Sequence, residues 1–224
     1  VNLPRVVDLT LTLRDGMRGV AFTTVKTVEH DGWNARQLEL YSHAGTHLDA
    51  QTHFAAGPET IDRLPLERCL GPAWVVRLGE VAPRQAIEVA HLGQVAAAVR
   101  PGDGLLLASG WSRHVDDPAL YRDRLPPVSE ELARWCVEKR VKLLGVEPPS
   151  VADVNDRDRL TRIHTILLGG GVTIVEGLAH LETLARPRVF FIALPLKIHD
   201  GDGCPCRAMA FEGDEDAPCV TLPL

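Results

Sequence analysis

The sequence predicts an α/β fold, and three observations predict it. Short continuous apolar runs, "GLLLASGW" (104–111), "VKLLGVE" (141–147) and "VTIVEGL" (172–178), have the pattern of strands covered on both faces. Segments of helical spacing alternate with such runs in the middle of the chain, and interleaving of this kind builds an α/β core. The first third is instead rich in alternating, β-branched stretches, which adds a further β layer.

In chain order, "RVVDLTLTL" (5–13), "FTTVKTV" (22–28) and "ARQLELYSH" (35–43) read as strands. "PAWVVRLG" (72–79) is a short strand bounded by Pro and Gly. "HLGQVAAAVR" (91–100) has apolar helical spacing and stops at Pro101-Gly102. "SEELARWCVEKR" (129–140) opens on Ser129, a good N-cap, with Glu130 and Glu131 suited to a helix's first turn. "RVFFIALPL" (188–196) is one more strand. No repeat or low-complexity linker divides the chain, so residues 1–224 are expected to form a single domain.

A chain of 224 residues with 45% hydrophobic content can bury a sizeable core. The net charge is −6 and no Lys/Arg-rich run occurs, which argues against a nucleic-acid partner. No apolar stretch approaches the roughly 20 residues that span a bilayer, so no membrane partner is expected. The start, "VNLPRVVDLTLTL", lacks a basic segment followed by an apolar core, as a secretory signal would have. Five cysteines are too few and too scattered for a disulfide framework. A cytoplasmic location is the expectation.

The densest chemistry lies in "SHAGTHLDAQTHF" (42–54), which holds three of the nine histidines and an aspartate. Imidazole and carboxylate are ordinary ligands of divalent ions. His43, His47, Asp49 and His53 would share one face of a straight strand, but His43 and His47 would then stand about 13 Å apart. The chain must bend for both to reach one ion, and Gly45 at the midpoint allows the bend. A helical turn would join 43 to 47 but swing Asp49 away. The expected form is a strand ending near His43, a glycine turn, and the second pair beyond it. The competing reading is a polar loop whose histidines hydrogen-bond locally. Far downstream, "RIHTILLGGGVTIVEGL" places His164 before three glycines and Glu176 at the end of an apolar run. A carboxylate there needs a partner if buried, which an ion would provide; capping a helix in "LAHLETL" is an equal alternative.

The stretch His43–His53 reads "HAGTHLDAQTH" and matches His-x-Gly-Thr-His-x-Asp-x-x-x-His at every fixed position. The sequence thereby resembles the cyclase family of metal-dependent hydrolases, which includes bacterial kynurenine formamidases and isatin hydrolases. "DLTLTL", "LLASGW", "LLGVEPPSV", the His164–Glu176 segment and "LPLKIHDGDGCPCRA" extend the likeness over nearly the whole chain. The resemblance implies a three-layer β/β/α swivelling-type fold. It implies a divalent site of His43, His47 and Asp49, with Asp49 bridging to a second ion on His164 and Glu176 in two-metal members. His53 is then the general acid/base. A homodimer or homotetramer acting on a small-molecule substrate follows from the same likeness. The chain departs from the family in having "EPPS" (147–150) where Asp-Thr-Pro-Ser is frequent, and Gln51 where many members have Pro.

Two divalent ions against two carboxylates leave a formal charge of about +2, enough to acidify water, polarise a carbonyl and steady an oxyanion. The ligand set has no thiolate, which fits one or two ions of zinc or manganese. The expected activity is hydrolysis of a small amide or cyclic amide. A lactone hydrolase using the same centre, and a metal-binding protein without catalysis, are the alternatives. Other features carry less. "CPC" (204–206) with Cys219 reads as ordinary thiols, "DVNDRD" (153–158) as a solvated turn, and "GGG" (169–171) as a flexible turn. Trp33 and Trp111 read as core residues, with Trp33 also a candidate wall for an aromatic substrate.

Overall fold

The computed structural model describes residues 4–213. The described residues form ten strands: β1 (Arg5–Asp8), β2 (Val20–Lys26), β3 (Ala35–Leu40), β4 (His47–Asp49), β5 (Leu70–Arg77), β6 (Gly104–Ala108), β7 (Leu143–Val146), β8 (Thr173–Glu176), β9 (Arg188–Pro195) and β10 (Gly203–Glu212). Among the described residues two helices exceed a single turn, α1 (Glu130–Glu138) and α2 (Arg157–Gly169). The main sheet runs β1-β10-β4-β8-β7-β6-β5-β9, and β9 pairs back onto β10. Seven strands therefore close into a ring, with β1 added outside it along β10. The pairings β5–β6, β6–β7 and β7–β8 are parallel, and the remainder antiparallel. β2 and β3 form a separate two-stranded ribbon.

Strand alternation sorts the side chains of the parallel strands between two cores. Leu106 and Ala108 of β6, Val75 of β5 and Val175 of β8 face the ring interior with Leu48, Phe191 and Ala208. Leu105 and Leu107, Val76 and Ile174 face outward, where Leu132 and Cys136 of α1 and Ile163 and Leu167 of α2 cover them. The α/β class expected from the interleaved pattern is therefore present, and each buried strand is apolar on both faces because each face meets a different layer.

The helices begin where capping chemistry places them. Ser129 Oγ accepts from Leu132 N at 3.1 Å, as its position predicts. Asp156 does the same for α2, accepting from Arg159 N at 3.0 Å. The stretch expected to be only a solvated turn therefore ends in a helix cap. Two other expectations differ. "HLGQVAAAVR" is not one helix: Gly93, at φ 52° and ψ −130°, separates a 3₁₀ turn (Val89–Leu92) from a single α turn (Val95–Ala98). "LAHLETL" forms only a 3₁₀ turn over Leu181–Thr183 that begins after His180 with no side-chain cap, so Glu176 caps no helix. No helix among the described residues is long and apolar enough to cross a membrane.

Candidate metal centre

β4 is three residues long and entirely buried. His47 and Asp49 lie two apart and so share a face. In the antiparallel register His47 stands opposite Glu176 of β8, which puts three candidate ligands together through backbone pairing alone. His164 enters from the buried side of α2. His43 reaches the same place because the chain turns sharply between β3 and β4. Gly45, at the midpoint, has φ of 61°, the left-handed region that glycine occupies freely. The expected glycine bend is present. It brings the His43 and His47 rings to 5.1 Å between centroids. Gly177 follows Glu176, and a Cβ there would meet Gly45 O at 2.3 Å, so two glycines allow the strand ends to touch.

The histidines are presented in a definite way. His47 Nδ1–H donates to Gly45 O at 2.9 Å, and His164 Nδ1–H donates to Leu160 O at 2.7 Å. Each Nε2 is thereby turned toward carboxylates. His47 Nε2 lies 3.3 Å from Glu176 Oε2 and 3.6 Å from Asp49 Oδ1. His164 Nε2 lies 3.4 Å from Glu176 Oε1 and 3.7 Å from Asp49 Oδ2. Lone pairs therefore face carboxylate oxygens. Only a proton or a cation between them makes that arrangement favourable. Burial opposes charge on His47 and His164, but Glu176 and Asp49 outweigh it and hold both above the ordinary histidine range. Burial would likewise raise Glu176, yet the two imidazoles hold it well below the usual carboxylate range. Val151 N–H donates to Glu176 Oε1 at 2.6 Å and fixes the carboxylate's orientation.

The donor set passes a direct test of fit to an ion. His47 Nε2 and Asp49 Oδ2 are buried with no hydrogen-bond partner, a rarity in folded proteins that calls for an explanation. His47, Asp49 and Glu176 each offer a ligand atom within 4.8 Å of the others, and so do His43, Asp49 and His53. Asp49 belongs to both groups, and His164 to neither.

His53 sits in a 3₁₀ turn (Gln51–Phe54) and stacks on His43 with 3.7 Å between ring centroids. Burial holds its pKa below the ordinary histidine value. Gln51 anchors this turn: its amide donates to Leu168 O of α2, and its carbonyl oxygen accepts from Glu59 N. The glutamine that replaces the family's frequent proline thus ties the His53 turn to the His164 helix. Glu147, the other departure, is fully buried away from the cavity. Its carboxylate accepts from Ser109 Oγ, Trp111 N and Ser112 Oγ at 3.0–3.1 Å.

His43, His53, His164 and Glu176 line a cavity of about 590 Å³. Leu11, Met17, Phe54, Tyr121 and Leu160 contribute its apolar wall. All six predicted site residues are therefore brought together. Trp33 is not: it is 56% exposed near the β2–β3 ribbon and does not line this cavity. Trp111 is buried and donates through Nε1 to Tyr121 O. Cys69, Cys136 and Cys206 lie in apolar surroundings that push their thiols up, the state of inert core cysteines. Cys219 lies outside the described residues. Sequence reasoning missed Asp202, whose Oδ2 is 3.1 Å from His43 Nε2 and 3.7 Å from His53 Nδ1. Its signal was "DGDG", which by itself reads as a turn.

A closed α/β sheet carrying a buried histidine–carboxylate cluster beside a cavity defines a protein with a donor set that could hold metal ions. More particularly, the chain belongs to the cyclase family, described as putative cyclase, whose pattern matches residues 7–153. It is 32% identical over 197 residues to a kynurenine formamidase of Salinibacter ruber, covering 88% of this chain and 87% of the relative. It is 30% identical over 215 residues to a kynurenine formamidase of Erythrobacter litoralis, covering 93% and 94%. An isatin hydrolase A from Labrenzia aggregata has the same fold, with a TM-score of 0.81 at 22% identity over 94% of each chain.

Proposed function

We propose that this protein is a metal-dependent hydrolase that cleaves the carbon–nitrogen bond of a small amide or cyclic amide, of the N-formylkynurenine or isatin kind. The observation that carries the reading is the pair of orphaned buried acceptors, His47 Nε2 and Asp49 Oδ2, beside a cavity of ligand size. The kynurenine formamidase relatives support the choice of bond. His43, His47 and Asp49 would hold one ion, and Asp49, His164 and Glu176 a second. Zinc or manganese suits these nitrogen and oxygen donors. When bound, the ion supplies Lewis acidity, which acidifies water and polarises a carbonyl.

The chain's own residues do the rest. His53, lining the cavity beside the ligands, takes a proton from water and returns it to the leaving nitrogen. Val151 N–H keeps Glu176 turned toward the two imidazoles. The apolar wall at Leu11, Met17 and Phe54 receives the ring of the substrate and excludes water from it.

The same reading treats residues 1–224 as one domain of three-layer swivelling type, with β5–β8 between the helices and the antiparallel strands. It places the protein in the cytoplasm as a homodimer or homotetramer. Exposed Val25, Trp33 and Leu38 on and beside the ribbon supply apolar surface suited to a second copy. Ion-loaded protein should be assayed on N-formylkynurenine, isatin and several lactones. Turnover of an amide is expected. Turnover of lactones alone would move the assignment to ester cleavage, and no turnover with stoichiometric ion would leave a metal-binding protein without catalysis.

A further inference from the structure

We infer that Asp202 is a positioning residue for both His43 and His53, fixing the first as an ion ligand and the second as the proton carrier. The inference rests on the functional reading above and deepens it. Asp202 is 159 residues from His43 in sequence, yet its Oδ2 lies 3.1 Å from His43 Nε2. His43 Nδ1 lies 2.8 Å from Asp49 Oδ1. Its two nitrogens are thus spoken for by two different carboxylates. Asp202 takes Nε2–H, and this leaves Nδ1 as the nitrogen that faces the ion site. A ligand histidine held through its other N–H by a carboxylate has its tautomer and ring angle fixed and its basicity raised.

The same Oδ2 is 3.7 Å from His53 Nδ1. That is longer than a hydrogen bond, as catalytic contacts in ligand-free enzymes often are before a substrate tightens them. Since His53 stacks on His43 at 3.7 Å, one carboxylate reaches the edges of both rings. An acceptor at Nδ1 leaves His53 Nε2 as the nitrogen that exchanges a proton in the cavity.

The backbone is built for this approach. Asp202 O accepts from Ala50 N at 2.9 Å, next to the paired residues Gly203 and Asp49. Asp202 is therefore locked to the strand that carries Asp49. A Cβ at Gly203 would lie 2.5 Å from His43 Cε1, so only glycine lets the chain pass this close to the ring. The side chain of Asp202 is 48% exposed, so its replacement leaves the cores untouched.

The test compares wild type, Asp202→Asn and Asp202→Ala. Zinc affinity is measured by competition with a chromogenic chelator, which needs no substrate. Thermal unfolding of the ion-free proteins monitors the fold, and kcat and KM are measured at saturating zinc. Asp202→Ala is expected to bind zinc roughly 10–100-fold more weakly, to keep the ion-free melting temperature, and to lose kcat with little change in KM. Asp202→Asn keeps an acceptor oxygen for Nε2–H and is expected to recover part of the affinity. Wild-type affinity and kcat in Asp202→Ala would overturn the assignment of Asp202 alone. An Asn variant as weak as the Ala variant would overturn the acceptor role in favour of charge. Wild-type protein that takes up no zinc would overturn the functional reading and this inference together.

Discussion

Gly45 and His53 carry the two residue-scale demands of the site. At φ 61°, Gly45 permits the bend that sets His43 beside His47, and a Cβ there would meet Leu13 Cδ2 at 2.5 Å. Gly45→Ala is expected to lose about 1–2 kcal/mol from the left-handed backbone alone. Displacing Leu13 adds to that, and zinc affinity should fall because the two imidazoles no longer converge. Denaturant unfolding with a parallel chelator titration measures both. His53 is expected to behave differently, since no orphaned acceptor depends on it. His53→Ala should retain stoichiometric ion while kcat falls by roughly 10²–10⁴. A variant that lost the ion, yet left its loaded fraction fully active, would contradict the role. Gly45 was legible because its geometry is local: a 3.3 Å rise per residue and one glycine suffice to require a bend, whereas the role of His53 came only from the family resemblance. Asp202 was not legible in this way, because nothing in "DGDG" encodes a partner 159 residues away.

At the scale of elements, the site depends on how β4, the Gln51–Phe54 turn and α2 are tied together. Gln51 makes that tie with hydrogen bonds to Leu168 O and from Glu59 N. Gln51→Ala is expected to cost about 1–3 kcal/mol, mostly from polar groups left unsatisfied. Because the turn carries His53, kcat should drop further than zinc affinity does. Comparing the two ratios in one preparation checks this. Asp156→Ala, which removes the α2 cap, is expected to cost about 1 kcal/mol. The strands of the parallel sheet were readable from their apolar runs, since both faces are buried and the pattern is continuous. α2 and β10 were not. α2 carries Arg157, Asp158, Arg159 and Arg162 on its exposed side and a histidine on its buried side, which blurs the apolar period. β10 opens on Gly203-Cys204-Pro205, residues of weak strand preference, and is a strand because β4, β9 and β1 all pair with it.

For the whole molecule, closure of the sheet matters most. β10 bridges β4 to β9, and this turns an open parallel sheet into a ring whose interior and exterior are separate cores. Leu105 and Leu106 are adjacent and fully buried, yet belong to different cores. Either Leu→Ala change is expected to destabilise by about 2–5 kcal/mol. The histidine–carboxylate cluster lies where β8 ends and β4 begins, so an ion there links strands that approach from opposite directions. Ion binding should therefore stabilise the native chain, by about 2.7 kcal/mol at a free concentration 100 times the dissociation constant. The α/β class was legible in the sequence, but closure was not, because it rests on the long-range pairing of a strand with no apolar run of its own. The central claim is that the orphaned acceptors of β4, His47 Nε2 and Asp49 Oδ2, exist to hold an ion that drives hydrolysis. Its most direct test is metal analysis of the purified protein coupled to N-formylkynurenine hydrolysis, before chelation, after chelation, and after zinc or manganese is restored. The account predicts one or two ions per chain, loss of turnover when they are removed, and recovery when they return. Full turnover by protein stripped of metal would contradict it.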